Sequence, residues 1–137
     1  MDKLEYIPGD FISVYVGVKK YIVEVIGTEN ENEVLLYQIK FPNGEIQYAD
    51  KDNIVPIPLT PEILKKNGWK KEMYHDWRHY IPLERTLLYL SRCVDRDRDG
   101  AFEVCVGLDM SHIAYISFVH QLQHLFFSLN INHEMDV

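Results

Sequence analysis

Two histidines four residues apart are the first residues in this chain whose types and spacing can do chemistry. His120 and His124 lie in the segment "FVHQLQHLFF" (118–127), and on a helix this spacing places both imidazoles on one face, one turn apart. Such a pair can share a zinc ion, but zinc requires a third and usually a fourth ligand. The further ligands available are His112, His133, Glu134 and the two cysteines. None has a diagnostic spacing, and the H-E-x-x-H pattern of zinc proteases is absent, so packing is the favoured role and a metal at the histidine pair is the alternative.

Cations and aromatic side chains interleave between residues 65 and 80, in "KKNGWKKEMYHDWRHY". Aromatic rings stack on nucleobases, and lysine or arginine side chains hold phosphate groups. The segment therefore predicts a site for an anionic, nucleotide-like small ligand. The residues predicted to line this site are Lys70, Lys71, Tyr74, Trp77 and Arg78, together with His120 and Gln121. The alternative is an exposed pair of strands whose aromatic side chains cover the neighbouring part of the fold.

A third stretch resembles half of a calcium-binding loop. Asp95, Asp97 and Asp99 occupy the first, third and fifth positions, but Val106 stands at the twelfth, where a bidentate glutamate is needed. The flanking segments also read as strands rather than helices. A charged hairpin tip therefore accounts for this stretch better than calcium does.

Motifs for catalysis are missing. The chain has no G-x-S-x-G elbow, no P-loop and no G-x-G-x-x-G turn. Its two cysteines, Cys93 and Cys105, lie in predicted apolar strands, where a thiol is usually inert. They flank a predicted turn, so a disulfide between them is the alternative to two buried thiols. We predict no catalytic residue, no enzymatic activity and no cofactor.

Composition and charge narrow the class of protein. The chain has 137 residues, of which 47% are apolar and 12% aromatic, which excludes a disordered chain. No apolar run approaches the ~20 residues that span a bilayer, and the N-terminus lacks the apolar stretch of a signal peptide. We therefore expect a soluble, cytoplasmic protein with no membrane partner.

The net charge of −7 is unevenly distributed. Residues 1–58 and 93–137 each carry a charge of −5, whereas residues 59–92 carry +3. Because an acidic protein repels nucleic acid at long range, nucleic acid is a disfavoured partner. Only the middle segment can attract an anion.

The first part of the chain, residues 1–58, reads as five short alternating strands. The turn at Asn43-Gly44 is its strongest hairpin signal. Five strands in fewer than 60 residues predict a small, strongly bent barrel, and their count and spacing resemble an SH3-like barrel of the Tudor/KOW kind. The aromatic residues assigned to the groove of this barrel are Phe11, Tyr15, Tyr37 and Tyr48.

The second part, residues 59–137, reads as an α+β module docked on the barrel without a flexible linker. A short helix is capped by Thr60, has Pro61 at its first position and ends at Asn67-Gly68. An antiparallel sheet follows, covered by a C-terminal helix over 117–130 that Ser117 caps. The apolar stripe of that helix comprises Phe118, Val119, Leu122, Leu125, Phe126 and Leu129. The predicted fold class is therefore α+β.

Two segments of the chain resemble a family of small uncharacterised proteins from gut bacteria, their phages and mobile elements. That family combines an "LTxExLxxxGF" segment with a final "VHQLQ" helix. The matching positions here are Leu59, Thr60, Glu62, Leu64, Gly68, with Trp69 in place of Phe, and residues Val119 to Gln123. Members often carry asparagine at the position of His124, which counts against an obligatory metal pair. The resemblance implies no activity, but it favours a phage or mobile-element accessory protein in a bacterial host cell.

Together these observations predict a non-enzymatic binding protein, an anti-defence factor that sequesters a nucleotide-type ligand. Proteins of that kind commonly oligomerise, so a homo-oligomer with a shared pocket stays an alternative. The alternative function is a protein–protein interaction module that binds a host protein through the barrel groove. A weak nucleic-acid binder and a metal enzyme at the histidine pair are the remaining readings.

Overall fold

The fold is mostly sheet, with two five-stranded antiparallel sheets and two helices. The computed structural model describes residues 6–72, 75–82, 86–92, 101–107, 109–131 and 134–137, without the side chains of residues 75–77. Sheet and helix together are compatible with the predicted α+β class.

The first sheet contains the strands β1 to β5 in the order β4-β3-β2-β1-β5. Their bounds are Phe11–Val16, Lys19–Glu31, Val34–Lys40, Ile46–Ala49 and Ile54–Val55. The β3–β4 hairpin turns at Asn43-Gly44, as predicted from the sequence. Gly44 has a φ of 92°, which glycine adopts without steric cost, and the Asn43 side chain accepts a hydrogen bond from the Glu45 N–H at 2.9 Å.

The predicted small barrel of the SH3-like, Tudor/KOW type is wrong, because this sheet is open. Closure requires the first and last strands of the order to pair with each other. Among the described residues, β4 pairs only with β3, and the two-residue strand β5 pairs only with β1. The sheet bends instead through a bulge between Val25 and Gly27 on β2, which strengthens the local twist.

The second half begins with helix α1, Pro61–Lys66. The Thr60 hydroxyl accepts a hydrogen bond from the Ile63 N–H at 3.2 Å, so the predicted cap is confirmed. Past the helix, Gly68 has a φ of 87°, a backbone conformation that strains other residues.

The second sheet follows α1 in the order β10-β9-β8-β7-β6. Its strands β6 to β10 span Lys70–Glu72, His75–Pro82, Leu87–Arg92, Phe102–Val106 and Ser111–Ile116. The chain ends with helix α2, Val119–Ser128. The predicted charged hairpin tip and half calcium loop over residues 95–100 lie outside the described residues.

The predicted cap of α2 at Ser117 is wrong, because Phe118 occupies the cap position. The Gln121 side chain reaches back to this end of the helix. Its Oε1 accepts hydrogen bonds from the backbone N–H groups of Ser117 and Phe118 at 2.7 and 3.1 Å. The bond to the Phe118 N–H is the one that a glutamine at the third helical position makes in a capping box.

Helix α2 covers one face of the second sheet and forms the larger of two cores. The helix contributes Val119, Leu122 and Phe126 to this core. The sheet contributes Leu88, Leu90, Phe102, Val104 and Ile116, and the α1 region adds Leu64 and Trp69. The smaller core belongs to the first sheet and includes Ile12, Val23, Val25 and Ile39.

We expect the variant Leu122→Ala to lower the free energy of unfolding by about 2–5 kcal/mol, because it removes a fully buried side chain and leaves a cavity. Leu122→Asp should abolish cooperative unfolding, because it places an unpaired charge in the core. Urea denaturation monitored by circular dichroism measures both. The matched control is Leu129→Ala, whose side chain is 40% exposed and whose loss should cost less than about 1 kcal/mol. Equal losses in the two alanine variants would contradict the position of Leu122 in the core.

Candidate binding cleft

The polar edge of α2 holds the chain segment that leads into β1. Gln123 Nε2 donates to the Gly9 carbonyl at 2.8 Å, and Gln123 Oε1 accepts from the Phe11 N–H at 2.9 Å. His124 Nε2 lies 2.6 Å from Asp10 Oδ2. Three side-chain bonds thus join residues that are more than 110 positions apart in the chain, and they align α2 against the edge of the first sheet.

Asp10 is the buried member of this arrangement, with a relative exposure of only 2%. Its Oδ2 accepts a hydrogen bond from the Ile7 N–H at 2.9 Å, in addition to the bond with His124. Burial raises the pKa of the Asp10 carboxyl, and both hydrogen bonds oppose that rise. The carboxylate is therefore held by specific donors in a site that is largely shielded from solvent.

His120 lies one turn before His124 and is buried among aromatic rings. Its ring centroid is 4.9 Å from Tyr6 and 5.9 Å from Phe118. Burial lowers the pKa of His120 to about 4, and the neighbouring His124 adds to this effect. His120 is therefore a neutral core residue at neutral pH.

The histidine pair that the sequence marks as an alternative metal site has the wrong surroundings for one. The two imidazole centroids lie 5.5 Å apart in an edge-to-face arrangement, and His124 Nε2 is already hydrogen-bonded to the Asp10 carboxylate. Within the described part of the chain, the ligand atoms of His120, His124 and a third residue do not all lie within 4.8 Å of one another. Packing accounts for His120, and hydrogen bonding to Asp10 accounts for His124.

An open cleft of about 550 Å³ lies between the segment 7–11, α2 and the C-terminal segment. Its charged or titratable lining groups are Asp10, Glu24, His124 and Glu134. Its apolar lining includes Ile7, Phe11, Phe126, Phe127, Ile131 and Met135. The described lining contains no lysine or arginine, so the cleft favours a ligand with cationic or hydrogen-bond-donating groups beside an apolar one.

The structure does not bring the predicted nucleotide-binding residues into one site. Arg78 points to the face of the second sheet opposite α2, where it contacts Glu72 at 3.3 Å and Ser91 at 3.2 Å. His120 is in the core on the other side, and Gln121 is committed to the helix cap.

The remaining predicted residues of that site are Lys70, Lys71, Tyr74 and Trp77. Lys70 and Lys71 are exposed on β6. Tyr74 and the Trp77 side chain lie outside the described residues, so the stacking rings of the predicted site stay a prediction.

The four aromatics assigned to a barrel groove do not form one surface either. Tyr37 is buried in the core of the first sheet, whereas Tyr15 and Tyr48 are exposed. Tyr37 pairs with Ala49 across the ladder, so the adjacent Tyr48 points to the opposite face. Phe11 packs against the larger core and lines the cleft.

Cys105 is a free, buried thiol. Burial raises its pKa to about 11, with the neighbouring Glu103 carboxylate adding to the rise. A protonated thiol is a poor nucleophile. Cys93, the other half of the alternative disulfide, lies outside the described residues.

Asp10 and Glu24 are the cleft residues whose roles the sequence did not reveal. Asp10 follows a Pro-Gly pair and reads as a turn residue that opens β1. Its contact with His124 depends on how two distant elements dock, which no local spacing records. The sequence signal for this contact is the presence of polar residues on an otherwise apolar helix.

Comparison of the chain with protein-family models, with curated proteins and with solved structures found no match. None of the helices in the described ranges is long and apolar enough to cross a membrane.

Removal of the Gln123 side-chain bonds should loosen the attachment of α2 to the first sheet. We expect Gln123→Ala to lower the free energy of unfolding by about 1–3 kcal/mol, because the Phe11 N–H and Gly9 carbonyl lose their partner. Urea denaturation measures the change. The matched control is Gln47→Ala, whose side-chain amide donates a hydrogen bond to the exposed Glu45 carboxylate. A loss no larger than that of the control would contradict the role of Gln123.

Because His120 is buried, we expect the free energy of unfolding to fall in mild acid. Its pKa in the folded state is about 4, below the ordinary value of 6.5. The unfolded chain therefore binds a proton first as the pH falls from about 6.5, and stability is lost progressively down to about pH 4. The full effect is on the order of 3 kcal/mol.

The variant His120→Leu tests this expectation, because leucine does not titrate. The free energy of unfolding, measured in urea at several pH values from 7 to 4, should fall more steeply in the native protein than in the variant. Asp10 has a raised pKa and contributes with the opposite sign, but it does so in both proteins. Parallel pH profiles would contradict this expectation, because they would mean that His120 has the same pKa in the folded and the unfolded protein.

Proposed function

We propose that this chain is a non-enzymatic binding protein that holds a basic peptide segment with an apolar anchor in the cleft between β1 and α2. The observation that carries the proposal is the combination of apolar side chains with carboxylates in the described lining, which contains no lysine or arginine. A protein partner is also the alternative function predicted from the sequence, although its site differs from the predicted groove.

The apolar part of the proposed ligand would pack beside Phe127. This side chain lines the cleft and is 79% exposed, whereas the adjacent Phe126 also lines the cleft but is buried. Covering an aromatic side chain of this size contributes about 1.5–3 kcal/mol from the transfer of apolar surface alone. An aliphatic or aromatic side chain of a partner would supply this free energy by packing against Phe127.

The charged part of the proposed ligand would lie between Glu24 and Glu134, which contribute carboxylates to the same cleft. The Asp10 carboxylate is already engaged by His124, so these two glutamates are the groups left for a partner. The chain as a whole carries a charge of −7, which accelerates the encounter with a basic partner.

The biological setting that we propose is a phage or mobile-element accessory factor in the bacterial cytoplasm, and its support is the resemblance in the "LTPEIL" and "VHQLQ" segments. The partner would then be a host protein. The carboxylates of the cleft would repel an anionic ligand. A nucleotide-type ligand therefore stays a separate prediction, for residues 65–80 and not for the cleft.

A labelled synthetic peptide that alternates arginine and leucine tests the cleft by fluorescence anisotropy with the full chain. We expect it to bind, to bind more weakly as salt rises, and to lose about 3- to 10-fold in affinity in the double variant Glu24→Gln/Glu134→Gln. The matched control is Glu31→Gln/Glu62→Gln, which removes the same charge from exposed positions outside the cleft.

Several results would overturn the proposal. One is equal binding of a peptide with glutamate in place of arginine. Another is an equal loss of affinity in the two double variants. ATP is the probe for the other ligand class: binding of ATP that Lys70→Gln/Lys71→Gln weakens would assign the function to the 65–80 segment instead.

A further inference from the structure

The face of the second sheet opposite α2 carries three side chains of the types that bind transition metals. Glu103 and Cys105 are alternate residues of β9, so both project from the same face. His112 on β10 is paired with Cys105 across the ladder, which places the imidazole beside the thiol. Two neighbouring strands thus gather a carboxylate, a sulfur and an imidazole at one point.

The separations of these groups fit a metal ion. Cys105 Sγ lies 3.2 Å from Glu103 Oε1, and His112 Nδ1 lies 3.5 Å from the same oxygen. The ligand atoms of all three residues lie within 4.8 Å of one another. With zinc bonds of about 2.0–2.3 Å, ligand atoms at two corners of a tetrahedron are roughly 3.3–3.6 Å apart, so an ion enters with small side-chain adjustments.

We propose that Glu103, Cys105 and His112 form a binding site for a divalent transition-metal ion of the zinc type. Nitrogen, sulfur and oxygen donors together select zinc or cobalt over the hard ions calcium and magnesium. The thiol proton leaves to solvent as the sulfur–metal bond forms. The resulting thiolate and the Glu103 carboxylate neutralise the two positive charges of the ion.

Local structure positions the imidazole for this role. A bulge in the β9–β10 ladder between His112 and Ala114 brings His112 and Tyr115 together, and their ring centroids lie 4.6 Å apart. This contact restricts the orientation of the His112 ring. The Cys105 thiol is buried beneath the site, so the ion would sit on the sheet surface with the sulfur on its protein side.

The proposed site has an open position. The side chains of His112 and Glu103 are 43% and 38% exposed, so a fourth ligand would come from solvent or from a bound molecule. Three protein ligands and one exchangeable position are typical of reactive zinc sites, whereas structural sites are closed by four. The site lies on the opposite side of the second sheet from α2, so it is independent of the proposed peptide cleft.

The experiment is titration of the chelator-treated full chain with Zn²⁺ alone, followed by calorimetry, and with Co²⁺ alone, followed by absorption. We expect one equivalent of Zn²⁺ to bind with a Kd of about 1 μM or tighter. Co²⁺ should produce a thiolate-to-cobalt charge-transfer band. His112→Gln, an exposed substitution that leaves the fold intact, should weaken Zn²⁺ binding by at least about 100-fold, and Cys105→Ser should abolish the band.

The matched control is Glu31→Gln, which removes an exposed carboxylate of the first sheet and should leave the Zn²⁺ affinity unchanged. The proposal is overturned if Zn²⁺ binds only in the millimolar range, or if Glu31→Gln weakens binding as much as His112→Gln. A charge-transfer band that persists in Cys105→Ser would assign the sulfur ligand to Cys93 and overturn it as well. Unfolding curves of each variant confirm that every comparison is made between folded proteins.

Discussion

The attachment of α2 to the first sheet is the interaction on which the rest of this structure depends. The apolar side of the helix is buried on the second sheet, and its polar edge bonds to the chain that enters β1. Gln123 satisfies a donor and an acceptor of the backbone at Gly9 and Phe11, and His124 satisfies the buried carboxylate of Asp10. An unpaired carboxylate at that depth would be costly, so the position of the helix and the entry of β1 are mutually dependent.

This one helix also explains why the histidine pair has two different roles. His120 faces aromatic rings and stays neutral because burial lowers its pKa. His124, one turn later, reaches the Asp10 carboxylate at the edge of the same core. Equal spacing in the sequence thus leads to unequal environments, because the helix lies at the boundary between the core and the cleft.

The two proposed sites lie on opposite sides of the second sheet and use different chemistry. The cleft beside α2 combines carboxylates with apolar surface, which suits a basic segment with an apolar anchor. The outer face gathers Glu103, Cys105 and His112, a donor set for a transition metal. Neither site is the basic and aromatic segment 65–80, for which the sequence predicts a ligand site. In that segment the Arg78 guanidinium is hydrogen-bonded to Glu72 and Ser91.

The sequence by itself determined the local features of this protein. Thr60 and Pro61 start α1, Asn43-Gly44 turns the β3–β4 hairpin, and the period of Val119, Leu122 and Phe126 places one face of α2 in the core. Each of these features depends on residues that are close together in the sequence, so backbone geometry and the hydrophobic period determine it locally.

Only the tertiary structure decided the features that depend on distant pairing. The count of five strands could not distinguish an open sheet from a closed barrel, because closure depends on whether β4 and β5 meet. The Asp10–His124 bond required the docking of two elements more than 110 residues apart. The group of Glu103, Cys105 and His112 required the register of β9 against β10, and a shift of one residue would have sent its side chains to opposite faces.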